Sequence, residues 1–342
     1  MKTNLLKLRR VLNATLFVLL LTVAGMMNAL GQNLVATLQH GDNISVFYGA
    51  NALVQANDVA ESGDIITLSS GSFQGTDITK AITLRGAGCI MDTVTGINPT
   101  VVYYNMNLNV IDDINHLTIE GISFSRLYML NLNSPKIIKC NIEEIYGYGG
   151  EEDRVQNASF IDCKINYFNS SSRFTNIQFY NSVLHIRDAV SENSFSFNNS
   201  IVSGDMPGIL AQNSILLYCP NEESLCINCV IIPRYSWCGY DANNNDNMIV
   251  YSCSEIFETF NGFYYGSWGS ISNFDFGERY NLKEEFASSF LGTDGNEVGI
   301  YGGLAPYNTR PNYMVLKQCN VANQSTVDGK LSIEIRVVAE GE

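Results

Sequence analysis

The sequence predicts an all-β chain whose body is a parallel solenoid of short, stacked strands. A five-residue phrase recurs with apolar residues at positions one and five and Cys or Asn at position three, and the loops between its copies vary in length. The middle residues step by 23, 18, 18, 14 and 15 positions. One short strand cannot bury a core alone, whereas stacked copies bury a continuous one. The copies are Ile138–Ile142, Ile161–Ile165, Phe179–Val183, Phe197–Ile201, Ala211–Ile215 and Cys226–Val230.

The middle position of the phrase predicts a row of stacked side chains in the solenoid interior. Alternation with period two places positions one, three and five on one face of each strand. A buried amide needs hydrogen-bond partners, and stacked Asn side chains supply them to one another. Replacing Asn199 with Leu is therefore expected to cost about 1–3 kcal/mol. The predicted structural ladder is Cys140, Cys163, Asn181, Asn199, Asn213 and Asn228.

An alternative fold is a Greek-key sandwich, whose strands are also short and alternating. A sandwich does not explain why Asn recurs at the same position in successive strands. The repeated phrase, its Cys or Asn position and its loops of varying length resemble the right-handed parallel β-helix of the pectate-lyase-like superfamily, over roughly residues 50 to 290. This resemblance implies the right-handed coil and does not specify an activity. About ten turns are expected.

The first 31 residues have the pattern of a secretory signal peptide. Four basic residues and no acid precede an apolar run, Val11 to Met27, and the small residues Ala29 and Gly31 place a cleavage site before Gln32. We expect export to the periplasm, the cell surface or the medium. No other run is long enough to span a membrane.

The charge of the chain argues against nucleic acid as a partner. The formal net charge is −14, and removing the four basic residues of the signal makes it −18. A chain of this charge repels a polyphosphate.

The two ends of the solenoid are predicted to be capped, because an open end exposes both apolar interior and unpaired strand edge. Apolar residues at helical spacing from Ala52 to Ala60 predict an N-terminal capping helix after a hairpin around Gly41. The Gly-rich stretch 292–303 resembles a terminal segment of secreted β-helix proteins from gut-dwelling Gram-negative anaerobes. Alternating strands around Asp328-Gly329 predict a C-terminal β-hairpin. The predicted divisions are 1–31 signal peptide, 32–290 β-helix with cap, and 291–342 Gly-rich segment and hairpin.

The nine cysteines are an odd number, and several fall inside the repeated strands. Most are expected to be buried thiols, with one disulfide formed among Cys219, Cys226, Cys238 and Cys253. Cys226 and Cys229 also have metal-ligand spacing, but no second such pair completes a tetrahedral site, so no metal site is predicted.

Aromatic loops are the candidate ligand-binding elements, because Tyr and Trp offer large contact areas to sugar rings with few rotors to freeze. Packing of the same aromatics on the solenoid flank is an equally weighted interpretation. For the loop that begins at Tyr146-Gly147-Tyr148, packing is favoured. The predicted glycan-binding residues are Tyr235, Trp237, Tyr240, Asp241, Tyr264, Tyr265 and Trp268.

Catalytic residues are not identifiable. The resemblance implies a basic residue as the base of a lyase, with Arg154, Arg173, Arg187 and Arg234 as candidates. Asp241 and Asp246 give only a weak calcium signal, since their run lacks the spacing of a calcium loop, and no other cofactor is expected. The sequence thus favours an exported β-helix that binds or organises glycans. The alternatives are a lyase or glycosidase acting on uronate-containing polysaccharide, and an adhesin or structural surface protein.

Overall fold

The structure, a computed structural model, describes most of the chain after residue 33. The described ranges are 34–92, 96–110, 116–147, 154–169, 174–187, 194–204, 208–233, 238, 240–241, 244–258, 280–309, 314–321 and 333–339.

Strands make up 47% of the described residues and helices 8%. In chain order the first strands are β1 Val35–His40, β2 Asn43–Tyr48, β3 Ile65–Leu68, β4 Gly71–Gln74, β5 Thr83–Arg85, β6 Thr100–Asn109, β7 Thr118–Glu120, β8 Ser123–Leu130, β9 Leu132–Asn133, β10 Lys136–Ile138, β11 Asn141–Gly147, β12 Val155–Gln156 and β13 Ser159–Ile161. The later strands are β14 Lys164–Asn169, β15 Phe174–Thr175, β16 Ile177–Tyr180, β17 Val183–Arg187, β18 Phe195–Asn198, β19 Ile201–Ser203, β20 Ile209–Gln212, β21 Ile215–Leu216, β22 Leu225–Ile227, β23 Val230–Ile231, β24 Met248–Ile249, β25 Met314–Val321 and β26 Ile333–Ala339. The helices are α1 Ala52–Val59, α2 Cys253–Ile256 and α3 Glu284–Ala287, with a 3₁₀ turn at Asn244–Asp246.

The strands form a parallel β-helix of about eight turns, which confirms the predicted fold with fewer turns than expected. Sheet A runs β2-β1-β3-β5-β7-β10-β13-β16-β18-β20-β22, and sheet B runs β4-β6-β8-β11-β14-β17-β19-β21-β23-β24. A third, short sheet is β9-β12-β15. Pairing is parallel within these sheets except where β1 meets β2 and β3. Each turn of the chain therefore supplies one strand to sheet A and one to sheet B.

The N-terminal end carries the predicted cap. Helix α1 buries Ala52, Leu53 and Ala56 and contacts β1 to β4. Strands β1 and β2 form the predicted hairpin across Gly41-Asp42. The apolar end of the solenoid is thereby removed from water.

The interior is filled by side chains stacked from rung to rung. Phe160, Phe179 and Phe197 occupy equivalent positions on β13, β16 and β18. Their rings stack with centroid distances of 5.0 and 5.2 Å. All three are fully buried. Like residues recur here because each rung presents the same space to the next, and aromatic stacking adds to the burial energy.

From β7 onward, the chain turns from sheet A to sheet B at one residue with positive φ in each rung. We call this set the corner row. Its φ values lie between 45° and 68°. Asn is favoured because it tolerates the left-handed conformation, which costs most other residues about 1–2 kcal/mol. The corner row consists of Gly121, Lys139, Asp162, Asn181, Asn199, Asn213 and Asn228.

The predicted single ladder of six side chains is wrong by one residue in its later rungs. Strand pairing aligns Lys164 with Val183, so that Cys163 is followed by Ser182, not by Asn181. The four Asn residues belong to the corner row outside the solenoid. The inner row is Cys140, Cys163, Ser182, Ser200, Ser214 and Cys229, every member fully buried.

Each of the inner serines Ser200 and Ser214 donates a hydrogen bond from its hydroxyl and accepts one from a backbone N–H of the preceding rung. Ser200 donates to the carbonyl of Asn198 at 2.9 Å and accepts from the N–H of Ser182 at 3.2 Å. Ser214 does the same one rung later. Small polar residues are therefore stable in the interior because each has partners. An amide ladder does exist beside the third sheet, where Asn176 donates to Asn157 and Asn157 donates to Asn133.

Residues 280–309, the covering segment, lie along the corner row. Asn228 donates to the carbonyl of Leu291 at 2.6 Å, and Asn181 donates to the carbonyl of Ile300 at 2.9 Å. A Cβ at Gly303 would collide with the Asn199 amide. The glycines of this stretch therefore allow close backbone approach.

The chain divides into two compact units, residues 1–309 and 310–342. The Gly-rich segment thus belongs with the β-helix, although the sequence placed the division at 290. In the second unit β25 pairs antiparallel with β26, in agreement with the predicted hairpin strands.

The corner row makes a testable distinction at Asn199. We expect Asn199→Val to lower the free energy of unfolding by about 1–2 kcal/mol more than Asn199→Gly, because only Gly adopts positive φ without strain. Urea unfolding of both variants measures the difference. The same pair at Asn198, an extended strand residue, should show the reverse order. If Val were the milder change at position 199, the side chain would lie in the interior and the corner assignment would be wrong.

Candidate functional site

Most of the predicted aromatic loop residues cannot be placed. Tyr235, Trp237, Tyr264, Tyr265 and Trp268 lie outside the described residues.

Tyr240 is held by packing and by hydrogen bonds. Its ring packs against the core, and its hydroxyl accepts from the N–H of Cys226 at 3.1 Å. The same hydroxyl lies 3.4 Å from the carbonyl of Ser224. The neighbouring Asp241 is exposed. These contacts favour the packing interpretation for Tyr240.

The predicted disulfide joins Cys219 to Cys238. Cys226 and Cys253, the other two candidates, are buried free thiols. The bridge ties the segment that precedes Tyr240 to the loop after β21.

The outer face of sheet B is divided into two parts of different chemistry. On the later rungs it is apolar, with Val183, Ile201, Ile215 and Val230 at equivalent positions. These side chains form a second core with residues of the covering segment, including Val298 and Ile300. The chain thus covers the apolar part of this face itself.

On the earlier rungs the same face is polar and aromatic. We call this surface the tyrosine face. The residues in it come from four adjacent strands, β6, β8, β11 and β14, and each has some solvent exposure. It consists of Tyr103, Tyr104, Arg126, Tyr128, Glu144, Tyr146 and Tyr167.

Strand register brings these residues together. Tyr128 pairs with Tyr146, and their rings stack with centroids 5.3 Å apart and planes 18° apart. Two residues earlier on the same strands, Arg126 pairs with Glu144, and its Nε lies 2.6 Å from Glu144 Oε2. Tyr167 pairs with Glu144 from the other side. An ion pair and three tyrosines therefore occupy a continuous patch.

Tyr104 is the most unusual residue of this face. Its φ is +67°, and its side chain is 71% exposed. It lies where two residues of β6 oppose one of β8, which is a β-bulge. A bulky residue in this conformation is uncommon, and strain of this kind concentrates at functional sites. The bulge aims an aromatic ring at solvent; that ring also lies edge-on to Tyr103, with centroids 4.8 Å apart.

The electrostatics of the patch act on Tyr146 and Arg126. Burial, together with Glu144, raises the pKa of Tyr146. A hydrogen bond with Glu144 raises the pKa of Arg126. The face therefore presents phenol hydroxyls as donors and acceptors beside a guanidinium–carboxylate pair, a chemistry suited to hydroxyl-rich ligands.

A second polar cluster lies in the corner row. Lys139 and Asp162 stand on successive rungs and are both buried. Burial raises the pKa of Asp162 to about 7, against the opposing effects of Lys139 and of the backbone of Asn308. Burial lowers the pKa of Lys139, and Asp162 opposes that change. This cluster attaches the covering segment, because the backbone of Asn308 bonds to Asp162.

The described residues contain no cluster of three or more His, Cys, Asp or Glu side chains that suits a metal ion. Nor do the helices in this part of the chain include one long and apolar enough to cross a membrane. Comparison with protein-family models, with curated proteins and with solved structures finds no match. The class of protein that the fold defines is thus a parallel β-helix.

Sequence reasoning missed the tyrosine face because its members are spread over some sixty positions. In the sequence, Tyr146 stands out only as part of a loop with Tyr148. The signal in the sequence is an aromatic residue at an outward-facing position in successive rungs. It can be recognised only after the rungs have been aligned by strand pairing.

The buried Asp162 predicts a pH dependence of stability. Because its folded pKa is raised, the folded state retains a proton that the unfolded state releases between about pH 4 and pH 7. Stability should therefore fall as the pH rises through this window, by about 2–4 kcal/mol from this group, and level off above it. Urea midpoints across pH 4–8 should show a shallower fall for Asp162→Asn.

The control for this measurement is Asp58→Asn, which changes an exposed carboxyl on α1. The urea midpoint of this variant should depend on pH in the same way as that of the unsubstituted protein. Identical pH profiles for Asp162→Asn and the unsubstituted protein would show that Asp162 ionises normally in the folded state.

Proposed function

We propose that the mature protein is an exported β-helix that binds a glycan on its tyrosine face. The observation that carries the proposal is Tyr104, an exposed aromatic at positive φ in a bulge, beside Tyr103 and on the same face as three tyrosines of the following strands. Strain of this kind costs folding energy and recurs at ligand-binding sites, which supports a ligand at this position.

The chemistry of the face supports a sugar ligand over a protein or nucleic acid. Sugar rings have apolar C–H faces and hydroxyl edges, which match aromatic rings and paired polar groups. The Arg126–Glu144 pair is neutral overall, and the chain carries a net charge of −14. A neutral polysaccharide therefore fits better than a polyanion.

The alternatives have weaker support. An adhesin requires a broad apolar surface, yet the apolar part of the outer face of sheet B contacts the chain's own covering segment. A lyase or glycosidase requires convergent catalytic groups. Of its candidate bases, Arg154 and Arg187 are exposed on different segments, while Arg173 and Arg234 lie outside the described residues.

A glycan array probed with the mature protein tests the proposal. We expect binding to at least one neutral polysaccharide, and Tyr104→Asn or Tyr146→Ala should weaken it about tenfold or more. Tyr104→Asn should also preserve or raise stability by up to about 1 kcal/mol, since Asn tolerates positive φ.

The matched control is Tyr180→Ala, which removes a half-buried tyrosine from sheet A. It should leave binding unchanged. Absence of binding to every glycan, or equal loss in the Tyr180 control, would reject the tyrosine face as the site.

A further inference from the structure

The free edge of sheet A is an unprotected strand. Strand β2, Asn43–Tyr48, ends the sheet, and among the described strands it pairs with β1 alone. Natural proteins usually protect such an edge with charge, proline or a bulge. The six residues Asn-Ile-Ser-Val-Phe-Tyr contain no charge and no proline, and their pairing with β1 is continuous without a bulge.

One face of this strand is apolar and exposed. Ile44, Val46 and Tyr48 are 68%, 45% and 64% exposed, and they share a face because side chains alternate along a strand. Phe47, on the other face, packs against the core. The outward residues are thus available for contact and contribute nothing to the described core.

The backbone of the same three residues faces the open edge. The N–H of Gly49 donates to the carbonyl of Leu34 at 2.9 Å, which fixes the hydrogen-bonded positions of the hairpin. These positions alternate in an antiparallel pair, so Phe47, Ser45 and Asn43 bond to β1. The N–H and C=O groups of Ile44, Val46 and Tyr48 therefore point away from β1, and within the described ranges no hydrogen bond to them is seen.

We propose that β2 is a dimerisation strand that pairs antiparallel with β2 of a second copy of this chain. With Val46 on the two-fold axis, Val46 pairs with Val46 of the other copy. Ile44 of each copy pairs with Tyr48 of the other. All three pairs are of the hydrogen-bonded type, and each places a β-branched residue beside an apolar partner. The two sheets would join into one continuous sheet.

A second copy fits this edge better than an unrelated strand because the strand is self-complementary. A two-fold axis through Val46 places Asp42 opposite Ala50 of the other copy, so no like charges meet despite the acidic chain. The predicted cleavage before Gln32 leaves only two residues ahead of Leu34. Those two residues span at most about 7 Å, too little to cover a six-residue strand.

The mass of the mature protein in solution tests this proposal. Light scattering or sedimentation over a micromolar concentration series should show a reversible monomer–dimer equilibrium. Val46→Lys brings two positive charges together at the axis and should weaken dimerisation at least about tenfold. Val46→Thr, a milder change of similar shape, should weaken it less. At a protein concentration low enough for the parent to be monomeric, both variants should unfold at the same urea concentration as the parent.

Leu210→Lys is the matched control, since Leu210 is 47% exposed on β20 of the same sheet and far from β2 in strand order. It should leave the equilibrium unchanged. As an independent measure, Val46→Cys should form an inter-chain disulfide on mild oxidation and Leu210→Cys should not. A monomer at every concentration, a dimer insensitive to Val46→Lys, or equal cross-linking of the two Cys variants would overturn the proposal.

Discussion

The structure depends on a sharp turn of the backbone at one residue per rung. At the corner row the chain passes from sheet A to sheet B with φ near +50°, a conformation that Gly adopts freely and that Asn and Asp tolerate better than most other residues. Because the turn occurs at the same place in each rung from β7 onward, the strands before and after it stay in register. That register stacks Phe on Phe and Ser on Ser in the interior, where each serine completes the hydrogen bonds of its neighbours.

The corner row also determines how the outside of the solenoid is arranged. Its amides point away from the core and bond to the covering segment, which returns along the row from Leu291 to Ile300. This segment then buries the apolar outer face of the later rungs. The earlier rungs are left with an aromatic and polar face. The contrast between the two parts of one sheet is the reason for assigning a ligand to the tyrosine face.

How far the sequence predicts the structure differs from feature to feature. The fold, the N-terminal helix and hairpin, and the presence of a disulfide among four cysteines were all predictable, because they depend on local periodicity or on few combinations. The row of Asn residues was recognised, but its position was wrong. A five-residue window cannot show whether Asn199 or Ser200 points inward, since the phrase shifts by one residue between Cys163 and Asn181. Tyr240 illustrates a similar limit, because an aromatic in a loop has the same sequence signature whether it packs or binds.

By itself the sequence determined the class of fold and the existence of a repeated polar position, because both follow from residue periodicity along the chain. Only the tertiary structure decided which polar residue turns the corner and which lies inside. That choice depends on pairing between rungs, as when Lys164 aligns with Val183. Only the tertiary structure gathered Tyr104, Tyr128 and Tyr146 on one face, because neighbours in a solenoid are set by stacking across rungs and their separation in sequence depends on loops of arbitrary length.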